Sequence, residues 1–249
     1  ANLARYSLAL CHLHNNDFEK ALAALDAIPA PDRNGDLAIV SYQLAGVLIR
    51  LAPLKTDDAI AAGKLQEQLQ TASQLLEAFA GANPQAPEAP DALLKLGHCQ
   101  QRLAQLLAQP PEKQAAIQAA RQAYEKLMTQ YPKDSRVPQA VMERAKSQAL
   151  AGDRGGAMNE LRRFTQPPLQ DTPVAPMALL RLASLHREQN QPLEAAKVLD
   201  DARKKHEPAL GKDKEREAWV AVLRYHHGVA LLEANKPAEA RPIAWIAAS

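Results

Sequence analysis

The hydrophobic positions of this chain recur at helical spacing, and short polar, proline-containing breaks interrupt them. The stretch Asp91–Pro132 shows the pattern most clearly, with two periodic segments on either side of Pro110-Pro111. In the second segment Ala120, Tyr124 and Leu127 share one helical face, and Pro132 closes it. In the first, Leu93, Leu96 and Gly97 form a seam whose small residue lets another helix approach closely. Near the start, Leu8, Ala9 and Leu13 line one helix and Phe18, Ala21, Leu25 and Ile28 line the next. Asn15-Asn16-Asp17 makes the turn between them, with Asp17 placed to cap the second helix.

One spacing repeats. The small residues Ala9 and Ala21 are 12 apart, and so are Ala145 and Ala157, Ala183 and Ala195, and Gly228 and Ala240. Leu161 and Phe164 follow the second pair, and Leu199 and Ala202 the third, at matching offsets. Two further pairs are stretched: Gly46 and Ala72 are 26 apart, and Gly97 and Ala120 are 23 apart. The extra residues fall near Pro53–Gly63 and Gln109–Ala116. They should lengthen the helices or their turn, at one end of a stack of helix pairs. Insertions on one rim carry partner contacts or are neutral elaborations, and the pattern leaves both readings open. The frame divides the chain into six units, at about 1–35, 36–89, 90–136, 137–172, 173–211 and 212–249.

Composition supports an all-α reading. Of the 249 residues 47% are hydrophobic but only 4% aromatic, and glycines number 10. Nearly all of the 18 prolines sit between periodic segments, as at Pro84, Pro132, Pro167-Pro168 and Pro208, where they end one helix or open the next. Pro242 is the exception, and it should kink the last helix. The net charge of +2 gives no long-range attraction to nucleic acid. The local excess of basic residues in Lys133–Arg163 reads as a solvated helix surface. The longest apolar run, Leu37–Ile49, is 13 residues, too short to cross a bilayer. The first residue is Ala1 rather than Met, and the chain is expected to be part of a longer one.

The helix pairs with small residues at fixed positions, exemplified by Leu93, Gly97, Ala120, Tyr124, Leu127 and Pro132, resemble the tetratricopeptide repeat, a helix–turn–helix unit of about 34 residues. The linkers ANPQAPEAPDALLKLG, QYPKDSRVPQAVMERA and PPLQDTPVAPMALLRLA are similar to those of bacterial cell-envelope members, namely the β-barrel assembly lipoprotein and the Tol–Pal-associated coordinator of envelope constriction. The resemblance implies an all-α solenoid of antiparallel helix pairs stacked into a right-handed superhelix, and a periplasmic or envelope location. The large aromatic often found early in a repeat is replaced here by Arg5, Tyr42, Leu93, Val141, Leu179 and Arg224.

In the family, residues one after and three before the small position look into the concave groove. Carried over, these include Tyr6, Gln43, Val47, His98, Met142, Lys146, Leu180, Ser184 and Tyr225, with Arg50, Arg102 and Arg187 a turn later. The resemblance therefore implies a protein or peptide partner with apolar anchors and some negative charge, held along the first helices.

Enzymatic patterns are missing from the sequence. Gly155-Gly156 lacks the lysine and spacing of a phosphate-binding loop, and no nucleophile-elbow or zinc-protease motif occurs. Cys11-His12-Leu13-His14 sets its histidines on divergent helix faces, so neither a metal nor a cofactor is expected. Cys11 and Cys99 fall two after Ala9 and Gly97, in units too far apart for a disulfide. Three functions remain: a partner-binding scaffold, a spacer or self-association module joined near Trp245, and the helical part of an enzyme whose catalytic residues lie elsewhere.

Overall fold

The computed structural model describes residues 1–53 and 58–248, with side chains described as far as Ile243. The described residues are helical and contain no strand. They form two compact units, divided in the chain between Ala151 and Gly152.

The first unit holds α1 (Asn2–His14), α2 (Phe18–Asp26), α3 (Ile39–Leu51), α4 (Ala59–Ala82), α5 (Ala89–Leu106), α6 (Pro110–Gln130) and α7 (Val137–Leu150). Each helix packs on its chain neighbour, and α5 also reaches α7, which is the contact pattern of a solenoid. The second unit holds α8 (Arg154–Arg162), α9 (Ala175–Glu188), α10 (Pro192–Leu210), α11 (Ala218–Glu233) and α12 (Pro237–Ala248), with the same neighbour packing and an α9–α11 contact. This is the all-α solenoid fold of helix pairs.

The small residues that set the repeating spacing are where the helices meet. Ala9, Ala21, Ala72, Ala120, Ala183 and Ala195 are all within 1% of complete burial. Gly46 departs from that pattern. It is half-buried, and a side chain there would meet nothing within 4 Å. The buried small residue of α3 is Ala45, at 0% exposure, so the frame in this helix sits one residue earlier than the glycine suggests.

The turns explain a second regularity. Asn16, Asn190 and Asn235 have φ of 56–58°, and Gly152 has φ 91°. Each stands seven residues after its small residue, at Ala9, Ala183, Gly228 and Ala145 respectively. A left-handed residue reverses the chain in a tight turn, and Asn and Gly adopt it at least cost. The two lengthened pairs lack this device. Their extra residues go mainly into the second helix, giving α4 24 residues and α6 21, against 9 in α2 and α8. Residues 54–57 of the first insertion, Asp57 among them, lie outside the described residues.

Prolines open α5, α7 and α9 in their first turns, at Pro90, Pro138 and Pro176. Pro208 and Pro242, by contrast, lie inside α10 and α12. Pro208 therefore does not separate segments, because it stands close to the helix end, where few intrahelical bonds remain to lose. Asp58 caps α4 by accepting from the Ala61 N–H at 2.7 Å, and Asp153 caps α8 by accepting from the Gly156 N–H at 2.8 Å. Asp17 holds the cap position of α2, and its carboxylate accepts from the Lys20 ammonium at 2.6 Å. Gly155-Gly156 belongs to the first turn of α8 rather than to a loop. The side chain of Trp245, the expected joint for self-association, lies outside the described residues.

Candidate functional site

The three first-of-pair helices α1, α3 and α5 line a groove of about 420 Å³ in the first unit. Leu10, Leu13 and His14 come from α1, Tyr42, Gln43, Gly46, Val47 and Arg50 from α3, and Lys95 from α5. No carboxylate is among these residues. Gly46 keeps the middle of the groove open, since its α carbon faces empty space.

A polar network holds this arrangement in register. Tyr42 donates its hydroxyl to Asp91 Oδ2 at 2.6 Å, and Lys95 donates to both the Tyr42 hydroxyl at 2.9 Å and Asp91 at 2.7 Å. Arg136, at the start of α7, reaches Asp91 Oδ1 at 3.2 Å and also bonds Asp134. One carboxylate thus ties α3, α5 and the entry to α7 together. Burial alone would raise the pKa of Asp91, yet hydrogen bonds from Lys95 and Tyr42 and the charge of Arg136 hold it below the usual carboxylate range. Burial would lower Lys95, but Asp91 and Tyr42 keep it above its ordinary value. The Tyr42 ring also packs at 5.5 Å from Phe79 and carries the Lys95 ammonium 4.4 Å from its centroid.

Lys95 is therefore neutralised within the protein, whereas Arg50 is not. Its guanidinium lies 5.1 Å from the Phe18 ring centroid and has no carboxylate partner among the described residues. The groove thus combines apolar walls, an aromatic hydroxyl and one cation available to an incoming anion.

The residues expected to bind a partner are dispersed. Gln43 and Arg50 line the groove. Tyr6 is half-buried on α1, its pKa raised by burial and then by Glu88. His98 meets the buried Tyr124 edge-on at 6.0 Å, and Arg102 donates to the Pro53 carbonyl at 2.6 Å, so both are engaged within the protein. Lys146 pairs with Glu143 at 3.7 Å. Met142 is 2% exposed and presents no surface to a partner, whereas Val47, though only 1% exposed, lines the groove. In the second unit Arg187 is clamped by Glu233 in a bidentate pair at 2.6 and 2.5 Å, while Tyr225 is 62% exposed against His226.

Spacing counted from Gly46 does not place Tyr42, Lys95 or Leu10 in a groove. Leu10 follows Ala9 directly, so the family's own rule finds it from Ala9, and Tyr42 precedes Ala45 by three, so the rule finds it once Ala45 replaces Gly46 as reference. Lys95 could not be read from spacing, because its place depends on pairing with Asp91 one helical turn earlier.

Among the described residues no three His, Cys, Asp or Glu side chains converge as metal ligands would. No helix there is long and apolar enough to cross a membrane.

A tetratricopeptide repeat-like domain model matches residues 66–243, and a tetratricopeptide repeat model matches residues 1–36. No curated protein matches the sequence. Among solved structures, the chain is similar to a thermophilic tetratricopeptide-repeat protein of Thermus thermophilus, with TM-score 0.54 and 15% identity over 93% of this chain and 100% of that one. It also resembles BtubC from P. vanneervenii, with TM-score 0.51, 15% identity and coverage of 83% and 86%. A third is MamA, with TM-score 0.50, 14% identity and coverage of 78% and 94%. At these identities the likeness is one of fold.

Proposed function

The chain belongs to the tetratricopeptide repeat-like family, and from that premise we propose that it is a non-enzymatic scaffold of six helix pairs that binds a segment of a protein partner along α1, α3 and α5. The observation that carries this reading is the groove itself, with apolar walls, an open centre at Gly46 and Arg50, which has no carboxylate partner among the described residues. Such a surface fits a segment with an apolar anchor and an acidic neighbour. The mechanism is rigid display. The Tyr42–Asp91–Lys95–Arg136 network fixes the groove before binding, so little ordering entropy is lost when a partner docks.

The linkers' likeness to envelope proteins suggests a periplasmic or envelope setting for this scaffold. Capture from a cell extract with mass-spectrometric identification tests the reading. The comparison is the parent protein against Arg50→Glu combined with Gly46→Trp, which reverses the cation and fills the groove. A protein retained by the parent and lost by the variant supports the proposal. Identical capture profiles reject it.

A further inference from the structure

A second groove, of about 600 Å³, lies between α4 and α6, with α5 contributing to its wall. It exists because these helices are long: Glu112, Ala115 and Ala116 fall in the stretch that the sequence marks as inserted. Its α4 side carries Gln66, Gln70 and Gln74, spaced four residues apart, and Gln100 of α5 adds a fourth amide. None of these four side chains hydrogen-bonds to another protein group among the described residues. The α6 side is low, formed by Ala115, Ala116 and Ala119. Glu77 and Glu112 complete the charge pattern. Neither is ion-paired among the described residues, and no Lys, Arg or His lines the groove.

We propose that this groove binds an extended, lysine- or arginine-bearing segment of a protein partner and reads it through its backbone. Three glutamines at i, i+4 and i+8 form a ladder with rungs about 6 Å apart along the helix axis. An extended chain turns an N–H and C=O pair to the same side every second residue, about 6.7 Å apart. The mismatch is under about 1 Å per rung, so three rungs engage alternate residues. A primary amide both donates and accepts, which suits it to a peptide group whatever the side chain. A helical ligand would bring its backbone groups already paired and offer the solvated ladder no backbone partner. The alanines let a backbone approach closely, and the two glutamates favour basic side chains and repel acidic ones.

The test is an NMR titration of the full chain with the acetylated, amidated hexapeptide (Lys-Ala)₃. Saturable shifts are expected at the side-chain amides of Gln66, Gln70, Gln74 and Gln100. Binding should weaken about tenfold when alternate peptide nitrogens are methylated, and about tenfold in Glu77→Gln combined with Glu112→Gln, whose exposed positions leave the thermal midpoint unchanged. Gly46→Trp, in the other groove, should leave the titration as it was. Absence of shifts at these amides at millimolar peptide overturns the proposal. So does equal binding of (Glu-Ala)₃, or indifference to N-methylation.

Discussion

The ring of Tyr124 occupies the space in which a side chain at Gly97 would have to sit: a Cβ at position 97 would lie 2.3 Å from Tyr124 Cε1. Tyr124 is itself fully buried, so the ring has nowhere to retreat. Gly97→Ala should therefore destabilise the protein by about 1–3 kcal/mol through overpacking. Helix propensity alone predicts the opposite sign, a gain of about 1 kcal/mol. Urea unfolding distinguishes them. The double variant Gly97→Ala, Tyr124→Leu should recover part of the loss, because the two changes act on one contact.

Asp91 is the node that the polar network depends on. Asp91→Ala leaves Lys95 and Arg136 without their shared carboxylate and Tyr42 without its acceptor. Hydrogen bonds to charged groups contribute about 1.5–3 kcal/mol, and a loss in that range is expected. Tyr42→Phe should cost about 0.5–1.5 kcal/mol, and less once Asp91 is gone. A double-mutant cycle by denaturant unfolding measures that coupling.

Acid should weaken the second unit in two stages. Burial and then Arg203 hold the pKa of His227 below its ordinary value, and burial and then Arg187 do the same for His226. Arg203 donates to His227 Nδ1 at 2.9 Å, which suits the neutral ring. The unfolded chain takes up these protons first, so stability is complete above about pH 6.5 and declines as pH falls below it. Glu207 acts lower. Burial would raise its pKa, but Arg224 and Arg203 outweigh that and depress it. Its contribution is present above the unfolded value of about 4.3 and disappears as pH falls through the lower folded value. Thermal melts between pH 7 and 5 should show a shallower decline in His227→Gln than in the parent.

The two cysteines should differ sharply in reactivity. Cys11 is exposed, whereas Cys99 is buried and its thiol is pushed up to about 12 by burial, with Arg102 acting in the other direction. A thiol reagent at neutral pH should modify one site per native chain, and mass spectrometry should place it at Cys11. Modification of both at equal rates would show that α5 opens readily.

The fold was legible because packing repeats one spacing: Ala9, Ala21, Ala183 and Ala195 are buried as their periodicity requires. The left-handed turn residues Asn16, Gly152, Asn190 and Asn235 obey the same period, since each stands at a constant seven from its small residue. The groove was less legible. Gly46 looks like the reference in α3 because glycine is the smallest residue, but Ala45 is what the neighbouring helices enclose. That shift hides Tyr42. The surroundings of His98, Arg102 and Arg187 were illegible for another reason: helical spacing gives a direction, and only the folded chain shows that Tyr124, Pro53 and Glu233 respectively meet them there. Long-range polar pairing has no sequence period.

The most direct test of the scaffold reading is site-specific photo-crosslinking in cells, with a benzoylphenylalanine at Leu10. That residue lines the α1–α3–α5 groove and is 40% exposed, so the probe borders the groove and leaves its centre at Gly46 open. A second probe at Arg121 of α6, away from that groove, serves as control. A discrete protein adduct is expected at 10 that is missing at 121 and is lost on adding Arg50→Glu. Crosslinking at 121 but not at 10, or an adduct at 10 indifferent to Arg50, would contradict a groove-binding scaffold.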